Sequence, residues 1–600
     1  MSSSRAKRLL VAAMLSLAPF LAAGGVAGEE ESESEPAASS LRRPVAAVAA
    51  PGGRQAHFVT RSGHAGTVDV VAGRVVWSAP LGERFADLIA LGAAGGLLAA
   101  DEARDEIVLL DAAEDGRLAV RARRPVASDP VRVAVSPGGA RAALASLWSR
   151  TLTLIDLRRE RADGVLGDAR EVRLPFAPRE LAFVAGGEKV VVAAAFGGRV
   201  AVVDAASGRV ESVRALRGHN IAGLLASGDG MLFISHQILE RLEPARRDPE
   251  HSDVSLWNVV RSLPLDALLD AARALEGTTR RLDSEARGAG DPAGLTALPG
   301  GDVAVAVAGV GALVVGVPGA TTRWQEVGTR PTRLVPLGDG EGRVLVVDPS
   351  ADALHVVRLA GDVEIRTIPL ADPEEEVHVA ARGEVHFFDA RLSADGSASC
   401  HSCHTDGHTS GLLADTLGDG SLGTPKKIPT LHGVPDSGPW SWLGREPYLD
   451  TQISKTVETT MRGGKPDYRV VDALTAYLRA LPPVPGVLPA RADGGDEDED
   501  DDDSQSLARG RRLFEEKGCV RCHEPPRYTT ASRYEVGLED EAGNRRFNPP
   551  SLRGVSQREG YFHDNRAATL EEVLARFGHP RAAEHSAAEV RDLVRFLKSL

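Results

Sequence analysis

The sequence predicts a multidomain chain: an all-β propeller of about seven blades, followed by two small all-α lobes. Three observations predict it. A unit of apolar strand, Gly-rich turn, apolar strand and a further strand closing on Asp recurs through the first part of the chain. All four cysteines fall in two C-x-x-C-H pentapeptides, 119 residues apart, with matching flanks. An uninterrupted acidic run at 496–503 stands between those pentapeptides. The length of 600 residues agrees, since single cores stop growing beyond about 250–300 residues. A composition of 43% hydrophobic and 26% charged residues excludes collagen-like, coiled-coil and wholly disordered proteins. A net charge of −14 argues against a nucleic-acid binder and suits docking to a basic soluble partner.

Residues 1–28 read as a signal peptide. Arg5, Lys7 and Arg8 form a basic start, Leu9–Ala23 an apolar run, and Val26, Ala27 and Gly28 a small-residue cleavage site. The run is shorter than the ~20 residues a membrane span needs, so the chain is expected to be exported, to the periplasm or surface of a bacterium. No later segment is apolar enough to cross a membrane. Residues 29–50, acidic and Ser-rich at their start, read as a disordered leader.

The propeller is expected over 51–376. Successive units end at Asp111, Asp156 and Asp204, 45 and 48 positions apart, the length of one four-stranded blade. The rhythm resembles the YVTN and WD-repeat families, without a run of diagnostic Trp-Asp pairs. One interval is too long for a blade. Within it Leu265, Leu268, Leu269, Ala272 and Leu275 have helical spacing, which predicts a helical insertion over about 247–290. His57, His64, His219, His236 and His251 are scattered and read as surface or core residues rather than ligands.

The pentapeptides are Cys400-His401-Ser402-Cys403-His404 and Cys519-Val520-Arg521-Cys522-His523. In an exported chain this spacing reads as covalent attachment of haem c. Two thiols three positions apart meet the two vinyl groups of one porphyrin edge, and the following His supplies imidazole to iron. A Cys₄ zinc site or two disulfides are the alternatives. The separation is long for zinc, and a disulfide does not call for His after each pair. Flanks repeat as well. Arg382-Gly383 and Arg509-Gly510 precede the motifs, Pro429–Val434 and Pro550–Val555 follow, and each half closes on an amphipathic helix at 470–481 and 589–600. Two cytochrome c haem lobes related by duplication, 377–490 and 507–600, are therefore expected, with an acidic, solvated linker at 491–506.

Taken with "PTLHGV…GPWSWLGREPYL", "PPSLRGV" and "YFHDNRAATLEEVLARF", the motifs resemble the bacterial di-haem cytochrome c peroxidase and MauG superfamily over roughly 380–600. They resemble the subgroup in which a propeller precedes the di-haem unit. The resemblance implies two haem c groups, facing lobes that pass electrons between them, a small soluble cytochrome or similar carrier as partner, and allows a calcium ion between the lobes. His404 and His523 are the expected proximal ligands. For the sixth positions, Met461 is the expected ligand in the first lobe, with His408 and His432 as rivals. In the second lobe the resembled peroxidases carry Met where Phe577 stands here, so His579 is the expected replacement, ahead of His563 and His585. Trp440 and Trp442 are expected beside the haems. Glu446, Asp450 and Gln452 are candidates for the acid–base group that peroxide cleavage needs, and His401 is expected to face solvent. The expected function is electron transfer through the two haems, with the propeller docking a partner; the alternatives are a peroxidase or MauG-like oxidase, and an interaction protein whose haems sense redox state.

Overall fold

The computed structural model describes residues 41–92, 95–157, 166–241, 254–284, 287–298, 301–317, 319, 322–359, 364–371, 377–417, 423–492, 501–580 and 583–600. The expected signal peptide and the start of the leader lie outside the described residues, as does His251.

Seven four-stranded antiparallel sheets follow one another at 44–77, 85–125, 130–173, 178–215, 219–281, 292–326 and 333–369. In each, neighbouring strands are consecutive in sequence, so every blade is a simple meander. The strands ending near Asp111, Asp156 and Asp204 are the third of their blades. Inner strands are almost wholly buried, because each blade's two faces pack on its neighbours. The fourth strands, such as Leu166–Arg173 and Thr278–Arg281, are largely exposed and polar. The ring closes without an exchanged strand. Ala56, Phe58 and Val68 of the first blade pack against Leu345, Val347 and Leu354 of the last, and the Asp352 carboxylate accepts from the main-chain nitrogens of Arg42 and Arg43 at 2.9 and 2.7 Å.

Three boundaries differ from the sequence reading. The first blade starts at Pro44, inside the expected leader, because Ala46 is drawn into a core with Val59, Phe85 and Leu88. The helical insertion expected over about 247–290 is chiefly a long hairpin. Strands Met231–Arg241 and Val254–Pro264 pair along their whole length, and among the described residues of this segment only Leu265–Leu269 (α1) is helical. Leu265, Leu269 and Leu275 do face the core, against Val191, Ile234 and Leu263, but through a single turn and a loop. The acidic linker is also shorter than expected. Helix Pro489–Ala492 enters one end, and the long helix Asp501–Glu516 takes up the other.

The first lobe contains α2 (Val379–Phe387), α3 (Cys400–Cys403), α4 (Leu449–Lys455) and α5 (Tyr468–Ala480), followed by α6 (Pro489–Ala492). The second is framed by α7 (Asp501–Glu516) and α8 (Ala587–Lys598). The lobes share one device. Gly383 of α2 lies so close to α5 that a Cβ there would stand 1.9 Å from the Ala473 carbonyl oxygen. Gly510 of α7 stands in the same relation to Asp592 of α8, at 2.0 Å. The repeated Arg-Gly pair is thus a repeated close helix crossing. Among the described residues no helix is long and apolar enough to cross a membrane.

Candidate functional site

Each C-x-x-C-H motif is a single tight turn that brings two thiols and an imidazole to one side. In the first lobe, α3 opens on a capping box: the Ser399 main-chain nitrogen donates to Ser402 Oγ at 2.9 Å. His404 follows, and its Nδ1 donates to the Pro429 carbonyl at 2.8 Å. In the second lobe the turn Cys519–Arg521 starts after Gly518 (φ 74°), and His523 Nδ1 donates to the Tyr528 carbonyl at 3.1 Å. Anchoring Nδ1–H leaves Nε2 with its lone pair, the orientation that a ligating histidine requires. Burial pulls both imidazoles down to about 4, so both are neutral at pH 7. None of the four cysteines is in a disulfide. Burial pushes the Cys400 and Cys403 thiols up to about 12.

Both motifs line one cavity of about 750 Å³. Its wall is mainly apolar, from residues such as Leu474, Leu478, Phe514 and Leu593. Paired free thiols, an oriented neutral imidazole and an apolar wall, all present twice, fit two covalently attached haem c groups. Among the described residues no group of three or more His, Cys, Asp or Glu gathers to hold a metal ion. The cysteine pairs, as described, form no Cys₄ centre.

The duplication extends to the far side of the cavity. Helix α4 runs into a π-helical turn, Thr456–Thr460, and then Met461. In the second lobe the π turn Glu572–Arg576 leads to Phe577. The main-chain bonds match: Met461 N to Thr456 O (2.9 Å) and Phe577 N to Glu572 O (3.0 Å), then Gly463 N to Val457 O and His579 N to Val573 O. His579 thus stands where the first lobe has Gly463. Met461 and His579 both line the cavity. The His579 ring centroid lies 6.5 Å from that of His523, with the ring planes at 63°. Burial pulls His579 down to about 4.

The rival histidines of the first lobe have other partners, although His432 also lines the cavity. His408 is fully buried; its Nε2 donates to the Gln557 carbonyl at 3.3 Å and its Nδ1 accepts from Thr430 Oγ1 at 3.0 Å. Both nitrogens of His432 face main-chain carbonyls, of Pro482 at 2.8 Å and Asp406 at 3.1 Å. His563 stacks on Phe547 with centroids 4.5 Å apart, and neither His563 nor His585 lines the cavity. Trp440 and Trp442 do line it, with indole nitrogens donating to the Val434 and Lys427 carbonyls. Gln452 lines it too. Glu446 and Asp450 do not: Glu446 is paired with Lys455 at 2.9 Å, and Asp450 is exposed and accepts from the Thr451 main-chain nitrogen at 2.7 Å.

The sequence reading missed the propeller's part in this site. Asp291, buried, accepts hydrogen bonds from Ser399 Oγ and Ser402 Oγ, the latter at 2.7 Å. His219 Nε2 donates to the Ser402 carbonyl at 2.8 Å, Gln237 reaches Ser402 Oγ, and Asn258 reaches the Ser397 carbonyl. Four propeller side chains thus hold the turn that carries the first motif. His401, expected to face solvent, is buried beneath this contact, and its Nδ1 accepts from the Asp406 main chain at 2.9 Å. Asp406 is itself paired with Arg179 of the propeller. No spacing in the sequence signals these contacts, which join residues more than 100 positions apart.

The profile of the family described as di-haem cytochrome c peroxidase matches residues 378–481. A methylamine utilization protein MauG of Methylorubrum extorquens is 31% identical over 290 residues, covering 39% of this chain and 80% of that protein. A cytochrome c551 peroxidase of Nitrosomonas europaea is 26% identical over 286 residues, covering 40% and 85%. The gamma subunit of hydrazine synthase from Kuenenia stuttgartiensis is 27% identical over 278 residues, covering 36% and 76%.

Proposed function

Because this chain belongs to the family of di-haem cytochrome c peroxidases and MauG, we propose that it is an exported two-haem electron-transfer protein, taking electrons one at a time from a small soluble carrier. Haem iron supplies the redox chemistry; the chain's residues fix its ligation and its surroundings. Cys400, Cys403 and His404 would hold one haem, and Cys519, Cys522 and His523 the other. Met461 and His579 would fill the sixth positions, and Trp440 and Trp442 pack beside the groups.

The observation that carries this reading is the placement of His579. An imidazole facing His523 across the cavity, 6.5 Å between ring centroids, is the separation expected when two imidazoles share one metal, each metal–nitrogen bond being about 2 Å. A strong sixth ligand keeps small substrates off the iron. The acid–base candidates agree, since the Glu446 carboxylate is tied to Lys455 and neither it nor Asp450 lines the cavity. Partner docking would use faces of the propeller other than the one on which the first lobe sits.

Peroxide reduction, or MauG-like oxidation of a protein, is the second reading, favoured by the relatives' own activities as their names give them. Stopped-flow mixing with a reduced small cytochrome c, with and without hydrogen peroxide, separates the two. Electron uptake without peroxide-dependent turnover is expected. Sustained consumption of peroxide establishes the second reading instead.

A further inference from the structure

The cavity between the two motifs is lined by two cations that have no negative partner. Lys427 is 4% exposed, and its Nζ donates only to the carbonyl oxygens of Glu559 and Gly560. Arg558 donates through Nη2 to the carbonyls of Ser551 (2.6 Å) and Arg553 (3.1 Å), and its buried Nε has no partner. Among the described residues neither forms an ion pair. Nearby carboxylates are already committed: Glu559 to Arg199, Asp540 to Lys426, Asp564 to Arg566 and Asp436 to Arg553.

Lys427 Nζ also lies 5.7 Å from the centroid of the Tyr561 ring, but a cation held in the interior by carbonyl dipoles and a ring face alone is costly unless an anion completes it. The cost shows in the titration of both groups, burial pulling Lys427 down to about 7 and Arg558 to about 10. Their location says which anion belongs there. Lys427 lies in the first lobe and its main chain bonds across to His563 of the second at 2.6 Å. Arg558 lies in the second lobe, and its charge is felt at His523, at His408 and at Lys427. The two cations therefore stand at the junction of the lobes, on the wall of the cavity that holds both attachment motifs. A porphyrin fixed by thioethers along its vinyl edge carries two carboxylates on the opposite, propionate edge.

We propose that Lys427 and Arg558 form a shared carboxylate site at the lobe junction that is filled by haem propionates. The inference rests on the two-haem reading above. Neutralising propionates beside an iron favours its reduced state, so each cation raises the midpoint potential of the haem whose carboxylate it meets.

The test is a redox titration of the full-length, two-haem protein, with haem counted per chain. Arg558→Gln and Lys427→Gln are each expected to lower the potential of at least one haem, while Arg558→Lys keeps wild-type values. Should Arg558→Gln fail to load haem, Lys427→Gln carries the same expectation. Unmoved potentials in fully loaded Gln variants overturn the proposal. An acetate-dependent shift of the wild-type potentials, absent from Arg558→Gln, also overturns it, assigning the site to a free carboxylate. Fewer than two haems per wild-type chain defeats the two-haem reading instead.

Discussion

His579 does at the residue scale what no other described side chain of the second lobe does: it presents an imidazole to the cavity opposite His523. Its replacement by Ala is expected to leave the second haem with an open position. The ferric spectrum then shifts toward a high-spin form and the reduced haem binds carbon monoxide, changes read by absorption spectroscopy. An unchanged spectrum removes His579 as a ligand. A second expectation concerns buried propeller histidines. Burial pulls His219 down to about 4 and His236 to about 3, from an ordinary 6.5. Below pH 6.5 the unfolded chain binds protons that the folded chain refuses. Their stability is thus fully present above about pH 6.5 and lost as pH falls toward 4, by about 2 kcal/mol per histidine at pH 5. Urea unfolding at pH 7 and pH 5 reads this, and His219→Gln should flatten the dependence. At this scale the grouping of two thiols with one imidazole was legible, because C-x-x-C-H sets all three on one turn. His401 was not, because its burial depends on a distant blade.

The duplicated elements carry the packing argument. Gly383 and Gly510 let α2 cross α5, and α7 cross α8, with main chain against main chain. Added methyl groups force the helices apart, and such overpacking costs about 1–3 kcal/mol. Gly510→Ala should therefore lower the stability of the second lobe by that order in thermal unfolding followed by circular dichroism, with Gly383→Ala doing the same to the first. The sequence shows the Arg-Gly repeat but not its reason, since close approach of two helices is a property of their crossing. The π turns before Met461 and Phe577 were likewise hidden: a one-residue bulge leaves the apolar spacing almost intact. The expected helical insertion failed for a related cause. Leu265, Leu269 and Leu275 do share a core, but the flanking strands win the rest of the segment by pairing along eleven residues each.

On the scale of the whole molecule, the propeller and the lobes are structurally interdependent. Blade count and lobe duplication were readable because each unit repeats its pattern along the chain. The joint between them was not, because Asp291, His219, Gln237 and Asn258 meet the first motif only in the folded state. A second contact reinforces it: Arg150 and the Trp148 carbonyl bond Gln557, while the Trp148 ring packs edge-on against His408 at 5.4 Å. Residues 377–600 expressed alone would lose these hydrogen bonds to water, at about 0.5–1.5 kcal/mol each, and would expose the apolar surface that the propeller covers. The isolated lobes are expected to aggregate or to unfold well below the full chain in calorimetry, and equal stability would show the joint to be incidental. The central claim, that both irons are held by six ligands for electron transfer, is tested most directly by the carbon monoxide difference spectrum of the reduced full-length protein. The account predicts no carbon monoxide adduct at either haem. An adduct amounting to one haem per chain would contradict it and make the protein a peroxide-reactive enzyme candidate.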